Sequence, residues 1–323
     1  MSAADNQTFT DLQDVIDQTP ENGVVNLTSD YSYFSGDSQI AVSHPLTING
    51  NGHVLDGKSK TSIMTVASGN VIIKNITFTN GNSNDGSGAL EAYDATVCDC
   101  VFTNNHGEAG GALYLSNGNV SRCTFINNSA DYDGGALLLS ESTVIDSFFD
   151  KNHAINGGAV LALQSMIYGC RFTNNHADLD GGAVYLFRGT VEKSVFINNT
   201  AGLTGGALDL VFGKAKDCYF ENNSAVECGG AIYNDTGEIV NCTFKNNKAL
   251  EGNDVFNHLY GDDYDDEPSD VEPSNVEPSG GDSNNSYKEK GVSIKSCDTD
   301  STGTPIGLLL AGLVLPISRK LRK

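Results

Sequence analysis

Glu108–Asn128 reads E-A-G-G-A-L-Y-L-S-N-G-N-V-S-R-C-T-F-I-N-N, and close copies of it run from Gly88 to Asn247. The phenylalanine ahead of each asparagine turn falls at Phe78, Phe102, Phe125, Phe149, Phe172, Phe196, Phe220 and Phe244, in steps of 24, 23, 24, 23, 24, 24 and 24 residues. A repeat this regular decides the fold before composition does.

Columns taken across the repeats divide into uniform and variable ones, and uniformity marks the interior, where few shapes fit. Two residues before each Phe stand Cys100, Cys123, Ser147, Cys170, Ser194, Cys218 and Cys242, small every time. Five before it stand Val97, Val120, Val144, Ile167, Val191, Ala215 and Ile239. The position just before the Phe ranges from Thr124 to Phe148 to Arg171, so the Phe and Cys/Ser columns point inward and this one outward. After each Gly-Ala, Leu90, Leu113, Leu137, Val160, Val184, Leu208 and Ile232 form another inward column.

Turn residues separate these strands. Asn105, Asn128, Asn152, Asn175, Asn199, Asn223 and Asn247, with the glycine pairs ending at Gly111, Gly135, Gly158, Gly182, Gly206 and Gly230, are expected to supply the sharp or left-handed corners. A unit of two dozen residues with short strands and no helical period cannot bury its inner face alone and must stack on its copies. The fold class is therefore all-β, a right-handed parallel β-helix, rising about 4.8 Å per coil. The exposed column Asp99, Arg122, Asp146, Gly169, Lys193, Asp217 and Asn241 brings opposite charges together as stacked neighbours.

The G-G-A-[ILV] and F-x-x-N pair resembles the repeats of chlamydial polymorphic outer-membrane proteins. The whole layout is still more similar to the adhesin-like surface proteins of methanogenic archaea: T-F-x-D-L-Q at Thr8–Gln13, L-T-I-N-G-N-G-H-V-L-D-G at Leu46–Gly57, the coils, and a T-G-x-P-I apolar tail from Thr302 with basic residues after it. This resemblance covers nearly the whole chain. It implies a surface-exposed, pectin-lyase-like β-helix of archaeal type, with adhesion as its role and no catalytic residues to carry over.

Four segments follow from composition. Residues 1–23 form an N-terminal capping segment, in which Thr10 and Gln13 read as a capping box and Phe9, Leu12, Val15 and Ile16 share one helical face. Residues 24–257 form the β-helix, starting with irregular early coils. Residues 258–300 form a disordered acidic Pro/Ser linker, since Glu-Pro-Ser recurs at Glu267, Glu272 and Glu277 and like charge keeps such a chain extended. Residues 301–323 form a hydrophobic anchor with a basic tail; an apolar helix of roughly 27 Å is marginal for a hydrocarbon core of about 30 Å, and a cleaved sorting signal near Thr302–Pro305 is the alternative. Met1–Asp5 carries no secretory h-region, although the small residues that follow Met1 look like what a cleavage site leaves behind.

A formal charge of −22 over 323 residues argues against nucleic acid as a partner. The eight cysteines show no metal-ligand spacing. Stacked Cys100–Cys123 and Cys218–Cys242 come close enough for bridges, but reduced residues in a ladder are the simpler reading. Ten N-x-Ser/Thr sequons, at Asn6, Asn26, Asn75, Asn119, Asn127, Asn198, Asn222, Asn234, Asn241 and Asn284, overstate glycosylation if the turns need asparagine anyway.

For chemistry, the acids Asp131, Asp133, Asp178 and Asp180 with His153 and His176 are the catalytic or metal candidates. Their columns are interrupted by Asn156 and Ile155, so turn roles are expected, with no cofactor and no metal. Lys or Arg to assist a lyase is scarce. The expected contact surface is the variable column two residues after each Gly-Ala: Glu91, Tyr114, Leu138, Leu161, Tyr185, Asp209 and Tyr233, with shielding of the sheet as the bland alternative. The composite reading is a cell-surface adhesin-like protein, outside the cell and tethered to the membrane by its C-terminus, with a glycan or protein on another cell as partner. A carbohydrate-active lyase or hydrolase is the alternative.

Overall fold

In the computed structural model the described residues are 7–258, plus the strands Lys290–Val292 and Leu308–Leu310. Those two strands pair antiparallel within a second compact unit. The expected linker and anchor otherwise lie outside the described residues. Among the described residues no helix is long and apolar enough to cross a membrane.

Residues 7–258 wind into an all-β parallel solenoid with one helix. Each turn lays one strand on three long sheets of eleven, ten and ten strands, and six turns add a strand to a short fourth sheet. The eleven-stranded sheet carries the Phe column, through strands such as Val101–Thr103 and Thr124–Ile126 in register. The second carries the Val column, and the third the Leu column. All three columns are buried for most of their length. From Phe78 to Phe220 successive ring centroids are 4.7–4.8 Å apart with planes within 10°. That is the strand spacing itself, so backbone pairing and ring stacking share one period.

The asparagine ladder does something other than turn the chain. Asn105, Asn128, Asn152, Asn175, Asn199, Asn223 and Asn247 are buried. Asn152 is typical: its Nδ2 donates to Oδ1 of Asn175 at 2.9 Å and to the Phe125 carbonyl at 3.1 Å, and its backbone N–H donates to the same Oδ1 at 3.0 Å. Both side-chain hydrogens and both Oδ1 lone pairs are thereby used, along with a backbone N–H stranded at the corner. The left-handed residues are the ones just before: Asn104, Asn127, Lys151, Asn174, Asn198, Asn222 and Asn246, all with φ of 55–57°. The column Asp99, Arg122, Asp146, Gly169, Lys193, Asp217 and Asn241 is left-handed too, and this geometry, more than charge pairing, gives it its composition. Arg122 does grip Asp99 with two 2.7 Å bonds, whereas Lys193 turns to the Tyr168 hydroxyl at 2.8 Å.

The glycine pairs split their work. The first of each, such as Gly134 or Gly181, holds φ near +60°. The second, such as Gly135 or Gly182, faces the next coil so closely that a Cβ would overlap the carbonyl oxygen of that coil's glycine. The cysteine and serine column accepts corner N–H groups as the asparagines do: Cys123 N–H donates to Ser147 Oγ at 3.1 Å, and Cys170 N–H to Ser194 Oγ at 3.1 Å. Cys100, Cys123, Cys170, Cys218, Cys228 and Cys242 are free, while Cys98 is disulfide-bonded. Burial pushes the Cys170 thiol up to about 12, which keeps it inert at neutral pH.

The N-terminal cap is helical, with its details shifted. The helix is Phe9–Gln18, and the capping box is Thr8 with Asp11, two residues earlier than expected. Gln13 is left free to close the sheet edge. Its side-chain amide accepts from Ala41 N–H at 2.7 Å and donates to Ala41 C=O at 3.0 Å, standing in for a missing strand against the edge strand Ile40–Val42. Thr10 donates to Asp37 at 2.6 Å. Phe9, Leu12 and Ile16 seal the first coil, but Val15 is 44% exposed and lies off that face. Strand pairing begins at Gln7, ahead of the helix.

Replacing Asn175 by alanine removes four hydrogen bonds mid-ladder. It strands Asn152 N–H and Nδ2, at about 1–3 kcal/mol per orphaned group. Asn175→Ala is expected to lose roughly 3–6 kcal/mol in urea unfolding, while Asn174→Ala, in the exposed column beside it, loses far less. Equal losses would remove the ladder from its central place.

Candidate functional site

The turn through Gly-Gly-Ala is tight, so the residue before each glycine pair comes to lie beside the strand that follows. Two columns meet there. One is the expected contact column, in unbroken register from Glu91 through Tyr114, Leu138, Leu161, Tyr185, Asp209 and Tyr233 to Phe256. The other is Asp133 and Asn156, joined by one isolated parallel bridge, and Asp180, Thr204, Cys228 and Glu251, joined by three more.

The contact column is not the open face that alternation suggested. Its residues are half-buried, and Asp209 is only 4% exposed. The preceding loops wall the column on one side and turn it into a shallow groove. At the N-terminal end a pocket of about 220 Å3 is lined by Asp85, Glu91, Tyr93, Glu108, Tyr114 and Leu138 among others. This is smaller than the about 300–1,000 Å3 of a small-molecule pocket. Tyr93 and Tyr114 meet edge to face at 5.6 Å, and Tyr93 donates to Glu91 at 2.8 Å. Burial first, and then the neighbouring Glu91, raise the Tyr93 phenol to about 12.

Midway along, Thr204 Oγ1 lies 2.8 Å from Asp180 Oδ1 and 2.9 Å from Asp209 Oδ2. A hydroxyl has one proton, so both contacts are hydrogen bonds only if one carboxyl also carries a proton. Burial supplies it: Asp209 is pushed up to about 7, first by loss of solvent and then by the negative charges of Asp180 and Asp235. Asp133 is raised as well, by burial, with the 3.0 Å bond from Asn156 opposing. Tyr185, raised to about 12 by burial first, is surrounded by Asp209, Asp180, Asp133 and Asp235. Every charge acting on this stretch is negative.

The acids and histidines proposed for chemistry separate into three places. Asp133 and Asp180 belong to the groove. Asp131 lies 3.5 Å from His106. His153, His176 and Asp178 come together on the short sheet, their donor atoms all within 4.8 Å of one another. In sequence the groove acids look unpromising because Asn156 interrupts their column; the signal that would have found them is Asp209, an acid set among Leu and Tyr neighbours in a column that alternation places outside. Two hydrogen bonds through one oxygen put Asp180 and Asp209 near the low end of the about 5–10 Å separation that glycoside hydrolysis uses. Asp209 is too buried to touch a substrate, however. Sequence reasoning also missed Phe187 and Phe212, an edge-to-face pair at 6.1 Å with the Arg188 guanidinium over both rings. Phe212 is 49% exposed and left-handed at φ 52°.

The asparagine sequons at Asn127, Asn198 and Asn222 stand in the exposed left-handed column, not the buried ladder.

Three stretches, residues 122–140, 169–186 and 217–235, match the model of the Chlamydia polymorphic membrane protein repeat. Each runs from the left-handed corner before a Phe, or close to it, through the glycine pair into the leucine strand. No curated protein matches the chain. Among solved structures, a complex of an alginate lyase is similar at 10% identity and a TM-score of 0.40, over 73% of this chain and 62% of the lyase. A Geobacillus virus protein is similar at 12% identity and a TM-score of 0.33, over 77% of this chain and 56% of its own. The chain thus spans about six-tenths of the lyase and less of the viral protein.

Asp209, pushed up to about 7, keeps its proton in the folded chain between about pH 4 and 7, where the unfolded residue, near 3.8, has released it. Stability is therefore lost as pH rises from about 4 through 7, by up to roughly 4 kcal/mol from this group. Melting of Asp209→Asn is expected to fall less than that of the parent between pH 5 and pH 8. An identical pH profile for the two would show that the carboxyl titrates normally.

Proposed function

We propose that this is a cell-surface adhesin-like protein whose solenoid presents the Tyr- and acid-lined groove to a glycan or protein on another cell. The carrying observation is the unbroken register of the contact column, which spaces Glu91, Tyr114, Leu138, Leu161, Tyr185, Asp209 and Tyr233 one strand apart along a single shallow face. Extended polymers suit such a face better than small molecules do, because no single coil encloses a ligand. The match to a polymorphic membrane protein repeat supports the surface setting.

Charge narrows the partner. With acids at Glu91, Glu108, Asp133 and Asp180 and tyrosines between them, the groove repels polyuronides and other anionic polymers. It favours neutral sugars, which stack on tyrosine, or amino sugars and basic peptide segments, which the carboxylates attract. In this reading the solenoid is right-handed, residues 258–300 hold it off the surface, and residues 301–323 tie it to the membrane, with the basic tail inside.

A second reading, a carbohydrate-active enzyme, draws on the Asp180–Thr204–Asp209 arrangement. The burial of Asp209 and the all-negative surroundings weigh against it, because a lyase needs a cation to neutralise its substrate's carboxylate.

On an array of neutral, amino and acidic glycans the chain should bind the first two classes. Tyr93→Ala with Tyr114→Ala, both partly exposed, should abolish that binding without moving the melting temperature by more than a few degrees. Binding retained by the folded double variant would dismiss the groove, and turnover of any polysaccharide that Asp180→Asn abolishes would favour the enzyme. Deleting residues 304–323 should release the protein from the membrane fraction, and unchanged fractionation would remove the tether.

A further inference from the structure

The short fourth sheet carries a cluster that the groove does not use. His153 and His176 are direct partners on adjacent strands, His153–Ala154 and His176–Ala177. Their rings stack with centroids 5.4 Å apart and planes within 8°. Two residues beyond His176, past the buried Ala177 and just after the strand ends, Asp178 turns back toward both rings. Its Oδ1 lies 3.0 Å from His153 Nε2 and 3.4 Å from His176 Nε2. All three side chains are about half exposed.

We propose that His153, His176 and Asp178 form a site for a divalent transition-metal ion, Zn2+ by preference, that clips one coil to the next. Donors bonded to zinc at about 2.0–2.1 Å in tetrahedral array stand about 3.3 Å from each other. The two measured separations to Asp178 are already close to that value, and the whole donor set spans no more than 4.8 Å. Two imidazoles with one carboxylate select zinc, cobalt, nickel or copper over calcium and magnesium, which prefer oxygen alone. Exposure leaves the remaining coordination position to water.

A support outside the donor set is also present. His176 Nδ1 is 2.8 Å from the Thr200 hydroxyl on the next coil, the kind of contact that fixes ring orientation and leaves Nε2 to face the metal. The molecule even contains a comparison: His106 Nδ1 meets Ser129 Oγ at 2.9 Å and His106 Nε2 lies 3.5 Å from Asp131. That place has the same support and the same acid, but serine where the second imidazole would stand. It offers two ligands, and two exposed ligands do not retain a metal. The site departs from the sequence expectation of no metal, which followed from Ile155 separating Asp131 from Asp178 and from Ser129, Thr200 and Ser224 filling the histidine column in other coils.

The test is titration of the full chain with ZnCl2 by calorimetry at pH 7.5, with Co2+ absorption as a second readout. One equivalent should bind. His153→Ala, His176→Ala and Asp178→Asn should each weaken Zn2+ roughly 100-fold or more, beyond the 10–100-fold that loss of a supporting residue causes, and His106→Ala should leave it unchanged. Saturating Zn2+ should raise the melting temperature of the parent and of His106→Ala only. Absence of uptake, uptake that survives all three substitutions, or a thiolate-to-Co2+ band showing capture by Cys228 or Cys242 would overturn the proposal.

Discussion

A chain that coils must turn corners, and at each corner backbone N–H groups leave the strand ladders and point along the stack. In a buried position each costs about 1–3 kcal/mol unless an acceptor reaches it. The solution here is a small polar side chain from the next coil: Asn128 Oδ1 for Asn105 N–H, Ser142 Oγ for Gly118 N–H, Ser147 Oγ for Cys123 N–H. The inner columns of Phe, Val and Leu supply the apolar burial, but they fill space only because the corners allow the coils to stack at the strand spacing. Sheets of ten and eleven strands follow from repeating that solution.

This requirement explains what was legible in sequence and what was not. Inward columns such as Phe102–Phe125–Phe149 announce themselves because a packed interior holds one shape, and the whole solenoid core was readable from them. The asparagine column was equally visible, but uniformity says that a residue is constrained without saying by what. Asn at 105, 128 and 152 is uniform because its amide bridges coils. Its neighbours at 104 and 127 are asparagine because the backbone there is left-handed, a conformation that Lys151 adopts as well. Both causes leave Asn-Asn in the sequence, and only the buried member must be asparagine. Thr10 and Gln13 misled for a related reason: a capping motif is short, and Thr8 with Asp11 satisfied it equally well while Gln13 was needed at the sheet edge.

The groove was half legible. Alternation placed Glu91, Tyr114, Tyr185 and Tyr233 on the outer face correctly, but alternation describes a strand and not what folds beside it. The walls come from the loops before Gly134, Gly181 and Gly205, whose path depends on left-handed glycines and on the close packing of their partners. Hence Asp209, outward by pattern, is enclosed by structure, and burial pushes its carboxyl up to about 7. The same loops deliver Asp180 and Thr204 to it across sequence distances that no local motif spans. His153, His176 and Asp178 were legible as candidates but were read as turn residues, because repeat columns show which residues stack without showing how near their donor atoms come.

The asparagine ladder has a direction. Each Nδ2 donates one hydrogen to the Oδ1 of the C-terminal neighbour and the other back to a Phe carbonyl of the preceding coil, while each Oδ1 accepts from the N-terminal side, so the amide–amide bonds run head to tail and polarise one another. The acceptor end is closed by Gly81 N–H on Asn105 Oδ1 at 2.8 Å, and the donor end by Asp254 Oδ1, 3.0 Å from Asn247 Nδ2. A row of oriented dipoles thus terminates on a carboxylate held seven residues beyond its last member. Coils can be gained or lost between Asn128 and Asn223 without altering either terminus, because each carries its own donor and acceptor. The end coils are not interchangeable with the rest, so a change in coil number that spares both closures must fall between them.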